Sequence, residues 1–341
     1  MRQFLSQDAS EISGEVPEEK FKPLFICYLL SSIIQLTLAI VVLVYGITRT
    51  VDDPIPNQYL VAYEGYALHL FDTLLNSPDV PLSNLVQNPD ALVAIQNWWN
   101  DRYFSWYISV GTFSSGFLFI TAIANLIQAA ITGKAMMGSK TAWKNLPNGI
   151  IVITNGQIAS RWLILGRNPV RWIEYAFSAS WMVVLIGILS TIQNVMLLGC
   201  MAVLNAVVMV CGFLHEVSNP LTYPGTPYVW GYYIVGWLIC IVVWAPILGY
   251  FALMVTNDLP AIVIYIVAIQ CAMFFSFSVV PLYIYRPTKQ KASINHVNDA
   301  IARYYKAEYI YIGLSLTVKI ALAALVFFGG IGMDDNASLI G

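Results

Sequence analysis

Charge is what this chain of 341 residues has least of: Asp, Glu, Lys and Arg together make up 11% of it, while 58% is hydrophobic. A water-soluble globular chain carries about 25% charged residues, so a soluble fold is excluded and a lipid bilayer is the expected partner. The net charge of −2 says nothing about nucleic acid by itself, and no nucleic-acid partner is expected. Disulfide and zinc frameworks are missing as well, because Cys27, Cys200, Cys211, Cys240 and Cys271 all fall inside apolar runs, where cysteine behaves as a small buried hydrophobe. Also absent are a phosphate-binding glycine loop, a nucleophile elbow and a metal-ligand spacing, so the chain is not expected to be an enzyme. The first twenty residues have no basic region leading into a short apolar core, which predicts no cleaved signal peptide.

What is present is a series of seven long apolar runs, which predicts an all-α membrane protein, a seven-transmembrane-helix bundle over 23–332 between tails at 1–22 and 333–341. The first run is Pro23 to Ile47. The second starts in an aromatic belt of Trp98, Trp99, Tyr103, Trp106 and Tyr107, as expected at a membrane interface, and ends near Ala130. The third opens with Asn168-Pro169, an N-cap followed by proline at the first helical position, and runs to about Ile192. The fourth covers Asn194 to Val217, the fifth Tyr228 to Val255 around Pro246, the sixth Pro260 to Tyr285, and the seventh Glu308 to Gly329. Two connections are long. That at 50–97 is rich in Asp and Pro and reads as a small ordered cap. That at 132–168 holds five basic residues and no acid, and its Asn155-Gly156 pair between apolar runs predicts a hairpin on the membrane surface.

Fourteen of the seventeen basic residues fall in the N-terminal tail, the 132–171 stretch and the connection before the seventh run, leaving Arg49, Arg102 and Lys319. Basic residues concentrate on the cytoplasmic side of a membrane, so the N-terminus is predicted inside and the C-terminus outside, in an integral multi-pass protein of the cell membrane. A glycosylation sequon, Asn336-Ala337-Ser338, then falls outside.

Lys319 lies in the middle of the seventh run. A charged lysine at the bilayer centre costs at least ~2.5 kcal/mol, so it needs a partner or a chemical reason to be there. Forming a Schiff base with an aldehyde is one such reason, since a buried lysine becomes a nucleophile toward carbonyls. The protonated linkage then requires a carboxylate, and Glu174 in the third run is the candidate. Glu308, Tyr311, Ser315 and Lys319 recur at helical spacing along one face, and Arg171, Glu174 and Ser178 form a second such face.

The stretches YIGLSLTVKIALA and NPVRWIEYAFSAS resemble the signature segments of the heliorhodopsins, seven-helix retinal proteins with an inverted membrane orientation. The resemblance implies all-trans retinal carried on Lys319, Glu174 as its counterion, and Ser315 bonded near the linkage. It further implies a polar network of Arg171, Glu216 and Glu308, which His215 and Tyr311 are placed to join, and a homodimer with an unidentified signalling partner. A retinal slot needs apolar and aromatic walls, for which Ser178, Trp181 and Met182 in the third run, Trp237 and Trp244 in the fifth, and Phe274 and Phe277 in the sixth are candidates. Each aromatic alone also reads as core packing or lipid contact, with Met182 and one of the two phenylalanines the expected contacts. The functional expectation is a light sensor; the rivals are light-driven or light-gated proton transport, which needs titratable groups on both sides of Lys319, and a seven-helix protein with no chromophore.

Overall fold

The computed structural model describes residues 12–16, 21–52, 58–61, 106–137, 141–145, 151–154, 158–190, 192, 194–221, 228–255, 261–285 and 294–337. Trp98, Trp99, Tyr103, Asn155-Gly156, Ser338 and most of the 50–97 connection lie outside the described residues. Among the described residues the helices are α1 (Phe21–Asp52), α2 (Val110–Met136), α3 (Ile158–Leu165), α4 (Pro169–Leu189), α5 (Val195–Ser218), α6 (Gly231–Val255), α7 (Ala261–Phe277), α8 (Val279–Ile284) and α9 (Ile294–Ala337). Among the described residues seven stretches are long and apolar enough to cross a membrane: one each in α1, α2, α4, α5, α6 and α9, and one shared by α7 and α8. In lipid the backbone must satisfy its own hydrogen bonds, so apolar runs of this length fold as helices, and Pro246 is accommodated inside α6 without ending it.

The spans form the expected all-helical bundle; outside them, among the described residues, five short strands also form. β1 (Ile12–Val16) pairs antiparallel with β4 (Thr141–Asn145), which pairs with β5 (Ile151–Thr154); β2 (Gln58–Val61) pairs with β3 (Trp106–Ser109). Part of the predicted N-terminal tail is therefore a strand. Trp106 and Tyr107 belong to β3 and not to the second helix, which begins at Val110. The two strands paired in the 132–168 connection, β4 and β5, both precede Asn155-Gly156, and the apolar run after the pair is α3. α3 ends at Gly166, whose φ of 65° a side chain would strain, with Gly166 N–H donating to Leu163 O and Arg167 N–H to Trp162 O.

Two spans also differ from expectation. The sixth breaks between Phe277 and Val279: Pro281 has no N–H to return to Phe277, the Ser276 and Ser278 hydroxyls donate to Met273 O and Phe275 O, and Ser278 N–H turns back to Phe275 O. α9 starts at Ile294, well before Glu308, and continues to Ala337, into the predicted tail.

α4 is the bundle's inner helix. Of its most apolar window 61% is buried, against 22% for α5 and for α6, which leave wide apolar faces for lipid. Met182, Leu185, Ile186 and Leu189 of α4 anchor a core with Phe117 and Leu118 of α2, Val243 and Trp244 of α6, and Val318 and Leu322 of α9. That packing fixes α4 against α9, and with it the two polar faces.

Candidate functional site

The two faces meet at Lys319. Its Nζ donates to Glu174 Oε1 at 2.5 Å and to Ser315 Oγ at 2.9 Å, one helical turn back. Glu174 Oε1 also accepts from Ser178 Oγ at 2.5 Å and from Thr121 Oγ1 at 2.6 Å. Lys319 is 3% exposed and Glu174 6%, so the pair is shielded from water on every side. A buried ion pair is tolerable only when further hydrogen bonds satisfy the remaining lone pairs, and the two hydroxyls do this for Glu174.

A second cluster sits where α4 begins. Arg171 is ion-paired with both Glu216 of α5 and Glu308 of α9. One cation between two anions leaves an excess negative charge, which nearby donors offset. Tyr28 Oη donates to Glu308 Oε2 at 2.9 Å and Trp172 Nε1 to Glu216 Oε2 at 2.8 Å. Asn168 does more than cap α4: its side chain accepts from Arg171 N–H, its Nδ2 donates to Glu308, and its own N–H donates to Glu216. The positive end of the α4 dipole thus faces both carboxylates. Gly212 lets the Trp172 ring lie against α5, since a Cβ there would come within 2.3 Å of it.

Two cavities flank these clusters. The larger, about 130 Å³, is apolar, walled by Trp172, Met182, Trp237, Phe274, Phe275 and Phe277, and its lining also includes Ser178, Ser315 and Lys319. The smaller, about 20 Å³, lies between Tyr28, Asn125, Gln128, Arg171, Glu174 and Glu308. Tyr175, Tyr311 and Ser315 line both.

Lys319, Ser315, Ser178, Met182, Phe274 and Phe277 are therefore placed around one cavity, and Glu174 meets it through its bond to Lys319 while itself lining the polar cavity. Trp181 is not: it is 36% exposed, covers Gly116 from outside and donates to Phe113 O, because its position on α4 points away from the cavity face. Trp244 is in the core against Phe274 without lining the cavity. Arg171, Glu216 and Glu308 form one cluster, and Tyr311 joins it through its ring, 4.0 Å from the Arg171 guanidinium. His215 is buried nearby but bonded elsewhere: Nδ1 meets Val229 O and Asn219, and the ring is boxed by Trp230, Tyr233 and Tyr285. Thr121, Tyr28, Asn168, Trp172 and Gln128 were not anticipated as partners. Only Asn168 carried a local signal, as a cap.

The family model for heliorhodopsins matches residues 142–331, more than half of the chain. This chain belongs to the heliorhodopsin family. As a heliorhodopsin it is an integral, multi-pass retinal protein, and the site suits that group: an apolar slot with aromatic walls closes on a buried amine that already has its carboxylate. Among solved structures it is similar to a light-driven proton pump from Leptosphaeria maculans, at 9% identity and a TM-score of 0.41, over 85% of this heliorhodopsin and 95% of that chain. It is also similar to a thermophilic rhodopsin from Rubrobacter xylanophilus, at 15% identity and a TM-score of 0.30, over 64% and 85% respectively. At these scores neither likeness carries weight here. No curated protein sequence matches the chain.

Proposed function

We propose that this heliorhodopsin is a light sensor that holds all-trans retinal covalently on Lys319, with Glu174 as counterion. The observation that carries the reading is the apolar cavity lined by Lys319, whose amine is paired with Glu174. Retinal supplies light absorption and a light-driven change of shape when bound. The chain's part is to hold a proton at the Lys319 nitrogen. Glu174 favours the charged form there, while Thr121 and Ser178 fix the carboxylate so that its Oε1 faces Nζ. Glu174 also borders the polar cavity, which Glu308 lines as well, and the carboxylates Glu308 and Glu216 held by Arg171 offer further sites for a proton. A homodimer and a signalling partner belong to the same reading.

Sensing is favoured over proton transport by an asymmetry. Among the described residues the buried acids are Glu174, Glu216 and Glu308, and the core on the other side of Lys319, around Leu185, Ile188, Val243, Ile247 and Leu322, is apolar. A path across the membrane would need acceptors there too.

Membranes containing the protein are expected to gain a visible band on addition of all-trans retinal, and Lys319→Ala to lose it entirely. A band that survives in Lys319→Ala would place the chromophore elsewhere. For the orientation, with the N-terminus inside and the C-terminus outside, protease added to sealed cells is expected to cut within 50–97. Cleavage between Gly133 and Arg167 would contradict it.

A further inference from the structure

Of the three residues that line both cavities, Tyr311 is the one that also grips the Arg171 cluster. It is 2% exposed. On one side its ring stacks on Phe277, a wall of the apolar cavity, with centroids 6.4 Å apart and planes at 27°. On the other side it lies under the Arg171 guanidinium at 4.0 Å, closer than Trp172 at 5.4 Å or Tyr304 at 5.8 Å. Arg171 depends on that face. Its Nη1 and Nη2 are taken by Glu308 and Glu216, but its Nε–H is buried with no hydrogen-bond partner, so the tyrosine ring is what packs against the plane of the cation.

The other two shared residues are committed elsewhere. Ser315 is bonded to Lys319, and the Tyr175 hydroxyl is bonded to the Tyr311 backbone carbonyl at 3.2 Å. That bond, together with the edge-on packing of Tyr175 against Phe277, confines the section of α9 that carries Tyr311.

We propose that Tyr311 is a positioning residue that transmits a change of shape in the apolar cavity to the Arg171–Glu216–Glu308 cluster. The inference rests on the retinal reading above. A close-packed interior does not absorb a displacement gradually, so pressure on Phe277 moves the Tyr311 ring as a plate. Because the guanidinium rests on that plate, the ring's movement changes how Arg171 divides its two ion pairs. Light at the cavity thereby redistributes charge between Glu216 and Glu308 without any proton having to reach them first.

The test uses the full chain loaded with all-trans retinal. Light-minus-dark infrared spectra report the carboxyl bands of Glu216 and Glu308, assigned with Glu216→Gln and Glu308→Gln. Tyr311→Phe keeps the ring and is expected to keep those bands. Tyr311→Leu removes the face; per unit of first photoproduct formed, its carboxyl amplitude is expected to fall roughly fivefold, the scale of effect expected along a coupling route. Phe277→Leu removes the pushing side and is expected to lower the same bands, which keeps the test open if Tyr311→Leu does not fold. Full carboxyl amplitude in Tyr311→Leu, or in Phe277→Leu where the first does not fold, would overturn the proposal. Absence of a visible band in the unmutated chain would instead overturn the retinal reading.

Discussion

The apolar and the polar cavity share Tyr175, Tyr311 and Ser315 as walls, and apart from these they are lined by different residues. In the apolar cavity the walls are mostly hydrocarbon and ring, with few groups that demand a partner, so its shape can yield to a guest. Around the polar cavity nearly every group is bonded to another: Tyr28 to Glu308, Asn168 to Gln128 and Glu308, Arg171 to two acids, Asn125 to Gln35. A satisfied polar network in a low dielectric is rigid, and removing one member costs far more than trimming an apolar wall. Helix α4 serves both, turning Arg171 and Glu174 to one cavity and Ala179 and Met182 to the other.

That contrast can be broken by substitution. Arg171→Gln leaves Glu216 and Glu308 buried without their cation, and a loss of about 3–5 kcal/mol is expected in denaturant unfolding. Met182→Ala, in the apolar wall, is expected to cost about 2 kcal/mol, at the low end for a buried methionine because space already adjoins it. If the two variants were equally stable, the rigidity assigned to the polar side would be wrong. Thr121→Val removes one of three donors to Glu174 Oε1, worth about 1 kcal/mol, and should move the pH midpoint of the visible band by less than one unit. Trp181→Phe, on the lipid face, should change stability by no more than about 0.5 kcal/mol and leave the spectrum unaltered.

Legibility in the sequence followed the same division. Lys319 and Glu174 stand out because a charge inside an apolar run is conspicuous, and helical spacing alone aligns Lys319 with Ser315 and Glu174 with Ser178. Thr121 and Tyr28 were not legible: a neutral polar side chain in a membrane helix reads as unremarkable until its partner is known, and theirs lie 53 and 280 residues away. Trp181 misled for a related reason, since its neighbour Met182 is buried while it faces out, and a one-residue step turns a helix by about 100°. β1 was invisible because a five-residue strand is defined by β4, far along the chain. The break before α8 was not anticipated in the run Pro260 to Tyr285, although Ser276, Ser278 and Pro281 together disrupt a helix locally.

Assigning Glu174 alone to the Lys319 nitrogen separates the two clusters, and it is tested most directly by titrating the visible band of the retinal-loaded protein in Glu174→Gln and in Glu308→Gln. A close buried carboxylate controls the protonation of its partner, whereas one held by Arg171 on the far side of the polar cavity acts weakly. The account predicts that Glu174→Gln lowers the pH midpoint by several units, giving a near-ultraviolet band at neutral pH, and that Glu308→Gln shifts it by less than one. A midpoint unchanged in Glu174→Gln but collapsed in Glu308→Gln would contradict it.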